Sequence, residues 1–115
     1  TQPKEVREQL SPVGHEYDFE FGADARYRLL FVDDTSLQVT VLADAGYPAG
    51  TINHFDIEMT SVAPGIYMIT WIEPATGNTV THVDDFGAGV AYTNITDLAS
   101  AGFWRVRGTI TRRDS

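Results

Sequence analysis

Between residues 16 and 21 the chain reads E-Y-D-F-E-F, with acidic and aromatic residues in strict alternation. Successive side chains of a strand point to opposite faces, so this is a half-buried strand. Tyr17, Phe19 and Phe21 face a core, and Glu16, Asp18 and Glu20 face water. The same period predicts strands over 26–33, 37–43, 51–61, 66–73, 79–86, 90–96 and 103–112. Turn formers separate them: D-D-T-S at 33–36, A-P-G, P-A-T-G-N, G-A-G and the longer T-D-L-A-S-A-G. A-D-A-G-Y-P-A-G at 43–50 is the one long loop. The only helix pattern is P-K-E-V-R-E-Q-L at 3–10, where Pro3 suits a first helical position and Val6 and Leu10 share a face.

About eight strands with mostly hairpin-length connections predict an all-β, antiparallel meander that closes into a barrel. A barrel of that size holds side chains or one small ligand. Residues 1–15 would form the N-terminal helix and lead-in, and 16–115 a single barrel domain.

Each strand splits into two sets. Leu37, Val39 and Val41 face inward, as do Phe55, Ile57 and Met59, which sends His54, Asp56 and Glu58 outward. In the last strand Trp104, Val106, Gly108 and Ile110 face inward. Strand 66–73 is apolar on both sets, Tyr67/Ile69/Trp71/Glu73 and Ile66/Met68/Thr70/Ile72. That pattern predicts a covered outer face, and with it a homodimer. In T-H-V-D-D-F, the set Val80/His82/Asp84/Phe86 shares a face with residues that prefer burial, so His82 and Asp84 point inward and Asp85 outward. The next strand is expected to add Tyr92 and Asn94 beside them.

These positions define the candidate site. His82 and Asp84 are candidates for acid–base work, because a carboxylate bonded to an imidazole fixes its tautomer and orientation. Tyr67, Trp71, Tyr92, Asn94 and Trp104 are the candidate ligand-binding set, an aromatic cage with polar rims. The competing reading is a satisfied structural pair in an ordinary barrel core. Glu73, just before Pro74, is expected at the mouth. The steps His54-Phe55-Asp56 and His82-Val83-Asp84 supply metal-ligand types but on opposite faces, so no metal site is expected, and no cofactor.

The 115 residues make one domain, 43% hydrophobic with net charge −8. Phosphate backbones and anionic membrane surfaces would repel such a chain, and no run approaches the roughly 20 apolar residues of a membrane helix. There is no cysteine, which excludes disulfides and thiolate chemistry and leans toward the cytoplasm. G-A-G at 87–89 is not followed by a helix pattern, and no serine sits in a G-x-S-x-G elbow.

The run G-I-Y-M-I-T-W-I-E-P-A-T-G-N-T-V-T-H-V-D-D-F (65–86), followed by Y-T-N and F-W-R-V-R-G-T-I, resembles the bacterial MoaF-like proteins of the calycin, lipocalin-like group. The resemblance covers roughly residues 26–112 and is sharpest over 64–94. It implies a closed barrel with a central cavity. The expected function is therefore binding of a small apolar or aromatic molecule. One alternative is a cofactor-free lyase or isomerase using His82 and Asp84 on an aromatic or polyketide-like substrate. The other is a structural or oligomerising module with a filled core.

Overall fold

A computed structural model describes residues 11–113. Nine strands follow one another in this span: β1 (Glu16–Glu20), β2 (Ala25–Phe31), β3 (Ser36–Asp44), β4 (Ile52–Asp56), β5 (Glu58–Ala63), β6 (Ile66–Ile72), β7 (Thr79–Asp85), β8 (Val90–Asp97) and β9 (Gly102–Arg112). All pair antiparallel in one sheet, ordered β4-β3-β2-β1-β9-β8-β7-β6-β5. No helix occurs among the described residues, and the helix expected over 3–10 lies outside them.

The sheet curls into a nearly closed barrel. β1 and β9 join its two halves, with Tyr17 opposite Arg112 and Phe19 opposite Ile110. The edges β4 and β5 meet without a ladder. The stretch expected as one strand over 51–61 is in fact two, broken at Ile57. That residue is buried, and its N–H leaves the sheet to donate to Thr35 O at 2.9 Å. Side chains cover the seam, where Phe55 of β4 stacks on Trp71 of β6.

Alternation places the core as the sequence suggests. Tyr17, Phe19, Phe31, Leu37 and Ile69 are buried and pack one end of the barrel solid. Phe86 lies at the centre of this plug, with its ring 4.8 Å from Tyr17 and 5.9 Å from Phe31. Fully burying each such side chain stabilises the fold by roughly 1.5–3 kcal/mol. The outer set of β6 is uncovered in the single chain, with Ile72 64% and Met68 38% exposed. No helix among the described residues is long and apolar enough to cross a membrane.

Gly108 permits the close approach of β9 to β1. A side chain there would run into the Glu20 carbonyl and the Phe21 ring. With hydrogen at that position, the Phe21 ring can lie against β9 and contribute to the barrel's interior wall.

Candidate functional site

Above the aromatic plug the barrel is hollow. A cavity of about 590 Å³ is walled by Leu29, Val39, Val41, Val80, Ile95 and Val106, with the rings of Phe21, Phe55 and Trp71. His82 and Thr93, register partners on β7 and β8, form its floor. Ala25, Asp44, Ala45, Tyr47, Glu73, Asn78 and Trp104 gather at the opposite end, where β3 and β6 run out and β2, β7 and β9 begin.

His82 is 5% exposed and Asp84 is completely buried. Asp84 Oδ1 lies 3.1 Å from His82 Nδ1. When Asp84 is ionised, Nδ1–H donates to it, and Nε2 is then the nitrogen left to meet a molecule in the cavity. The Trp71 ring lies 5.0 Å and the Phe19 ring 5.7 Å from the imidazole, which holds it in place. Burial pushes the Asp84 carboxyl above the ordinary aspartate range, and the attraction and hydrogen bond of His82 pull it partly back. The row beside Asp84 continues through Ala91 to Gly108, so small residues make room for a carboxyl in the core. Asp85, by contrast, accepts from Ala88 N–H at 2.9 Å and shapes the β7–β8 turn.

The mouth is acidic. Tyr27 OH donates to Asp44, and Gly46 and Tyr47 N–H donate to the same carboxylate at 2.6 and 3.1 Å. Burial alone would raise Asp44, but these donors outweigh it and hold the carboxyl below its usual range. Burial, then the hydrogen bond and charge of Asp44, push the Tyr27 phenol well up. Glu73 is raised, first by burial and also by the charge of Asp44. The Trp71 indole N–H is near enough to temper that rise, yet its geometry falls short of a hydrogen bond. Trp71 Nε1, Asn78 Oδ1 and Thr93 Oγ1 are all buried with no partner among the protein's own groups, and all belong to residues lining the cavity. An unpaired buried polar atom costs roughly 1–3 kcal/mol, so their convergence on one hollow is a mark of a place that receives polar partners.

His82, Trp71 and Trp104 therefore line one cavity, with Trp104 48% exposed at its rim rather than inside, and Asp84 lies beneath the floor, bonded to His82. The structure does not bring in Tyr92 or Asn94, which sit on the outer face of β8. The inward residues of that strand are Ala91, Thr93 and Ile95. Tyr67 packs below the cavity, 6.2 Å from Phe86, and does not line it. His54 is exposed and bonds Gln38 on the outer surface, at 3.1 Å. Among the described residues no group of three or more His, Cys, Asp or Glu could hold a metal. Sequence reasoning missed Thr93, Asn78, Tyr27 and Asp44. The run Ala91–Thr93–Ile95 offered a signal for the first, since Ile95 shares its face.

A small antiparallel barrel with one aromatic-walled, polar-floored cavity is the class that fold and site define. The chain belongs to the MoaF-like family, whose model matches residues 13–111. A crystal structure from Burkholderia vietnamiensis, of a protein provisionally called a beta-lactamase, is similar, with 25% identity and a TM-score of 0.77 over 88% of this chain and 94% of that one. No curated protein gives a significant sequence match.

Proposed function

We propose that the protein binds a small, largely apolar or aromatic molecule in the barrel. One observation carries this reading: a hollow of about 590 Å³ whose wall is apolar and which is lined, from its imidazole floor to its mouth, by buried polar atoms with no partner. A filled core would close that space with side chains, as the Phe86 end does. His82 Nε2 and Thr93 Oγ1 orient the ligand from the floor, while the stacked Phe55 and Trp71 rings form a wall against one side of its body.

The His82–Asp84 pair supports a second reading, acid–base catalysis on the bound molecule. Nε2 would take a proton from carbon or water and return it elsewhere, with Asp84 steadying the imidazolium. The Burkholderia protein's beta-lactamase name does not extend the case. Among the described residues the cavity lining contains neither serine nor lysine, so a serine–lysine acyl route has no parts here.

Tryptophan emission tests the binding reading, because Trp71 and Trp104 both border the cavity. A neutral phenol should quench or shift it saturably, and His82→Gln should weaken that binding about fivefold, as loss of one hydrogen bond does. Emission unchanged at millimolar phenol would argue for a core closed to ligands.

A further inference from the structure

The charged groups at the cavity's mouth are all acidic. Asp44 and Glu73 stand at its mouth and Asp84 lies beneath its floor, while no lysine or arginine lines it among the described residues. Asp44 is already tied down by Tyr27 and the β3–β4 loop. Glu73 is placed opposite by the β6–β7 turn, where Glu73 N–H donates to Asn78 O at 2.8 Å and Gly77 N–H to Glu73 O at 2.7 Å. Both carboxyls line the same mouth, and the charge of Asp44 reaches Glu73. Asn78 Oδ1, an acceptor with no partner, joins them. Independently of this acidic group, Thr93 is more than nine-tenths buried on the floor of the same hollow and lines it with an unpaired hydroxyl. The hollow is thus built for an occupant, and its charge restricts which one.

We propose that the ligand is a small hydrophobic amine, bound as its ammonium ion between Glu73 and Asp44 with its apolar body against Phe55 and Trp71. This rests on the cavity being a binding site and adds the charge of what enters it. At the mouth an anionic ligand would meet two carboxylates with no lysine or arginine in the lining to offset them, a costly arrangement in a partly buried site. An ammonium gains charge-assisted hydrogen bonds from Glu73, Asp44 and Asn78 Oδ1. The rings of Tyr47 and Trp104 at the rim add cation–π attraction. The net charge of −8 draws cations toward the molecule from a distance. The floor fits the other end of such a molecule, since Thr93 Oγ1 can donate to or accept from a hydroxyl or carbonyl there.

The test compares 2-phenylethylamine, 2-phenylethanol and 3-phenylpropionate by calorimetry at neutral pH, on the full chain and on Glu73→Gln. The amine should bind about tenfold more tightly than the alcohol, and the acid most weakly, in line with hydrogen bonds to charged groups. Glu73→Gln should remove most of the amine's lead and leave the alcohol within about twofold, as a change confined to the charged contact would. Alcohol binding by the variant also reports that it is folded, and Asp44→Asn provides a second variant with the same expected loss. If the alcohol or the acid binds as tightly as the amine, or if both variants keep the amine's lead, the charge selection is overturned and the cavity reading stands. If no member of the series binds at millimolar concentration, both fall together.

Discussion

The rings of Phe55 and Trp71 stack 5.6 Å apart, with their planes 18° from parallel, across the one junction of neighbouring strands among the described residues that carries no backbone ladder. What ladders do elsewhere, this aromatic pair does at the seam between β4 and the β5–β6 hairpin. The same pair forms one wall of the cavity.

Phe55→Ala should therefore open the seam as well as leave a void. A loss of about 3 kcal/mol is expected, at the lower end for phenylalanine truncation because Phe55 is only partly buried. Urea unfolding monitored by circular dichroism measures it, and hydrogen exchange should show the added opening concentrated in β4 and β5. A loss below about 1 kcal/mol would mean that the seam is held by the backbone connection alone.

At the opposite junction, Gly108→Ala should destabilise the barrel by about 2 kcal/mol, the usual scale for overpacking. The added methyl group meets the Glu20 carbonyl, which belongs to the β1–β9 join and cannot move without loosening it. The Phe21 ring would also be displaced toward the cavity, so ligand binding should weaken in parallel. Thermal unfolding together with the phenol titration checks both effects.

Asp84 makes the stability depend on pH. Its carboxyl is raised in the folded chain, chiefly by burial. The folded state therefore holds this proton more tightly than the unfolded state does. That preference favours folding fully below the ordinary aspartate value of about 3.9, and it is lost as pH climbs through the raised folded value. Asp84→Asn, which cannot ionise, has no such loss. The stability of the variant relative to the native chain should thus improve with rising pH over this window. Unfolding free energies of both proteins measured between about pH 4 and 8 give the comparison, and a difference that stays flat or falls would show that the attraction of His82 outweighs burial.

How much of this was legible in the sequence depended on whether a strand's two faces differ in kind. In β1, carboxylates against aromatic rings leave only one orientation, and Tyr17 and Phe19 are buried accordingly. In β7, Val80 and Phe86 carried His82 and Asp84 inward with them. In β8, both sets mix apolar and polar residues, and the period cannot choose between them. Tyr92 and Asn94 look like a ligand edge, but the space beside Asp84 admits only Ala91, whose neighbour on β9 is Gly108. That is a constraint between strands and is invisible along one. The break at Ile57 was hidden for a different reason. Phe55, Ile57 and Met59 keep the same phase through it, so the pattern continues although the ladder stops. The polar mouth came from the ends of strands and a loop, where Asp44 and Asn78 lie far apart in sequence and show no shared period.

The arrangement of ladders also concentrates the difficulty of folding in one place. Every paired strand except one pair is joined to its neighbour by a hairpin, and the exception is β1 with β9, at opposite ends of the described chain. Two meanders can thus form from local contacts, and the large loop-closure entropy falls on a single zipper between them. Arg113 N–H already donates to Glu16 O at 2.8 Å, so those two points are neighbours in space. A circular permutant that links them by a short turn and opens the chain at Ile57 would turn the zipper into one more hairpin. Its contact order would drop, and it should reach the same barrel faster than the native connectivity does.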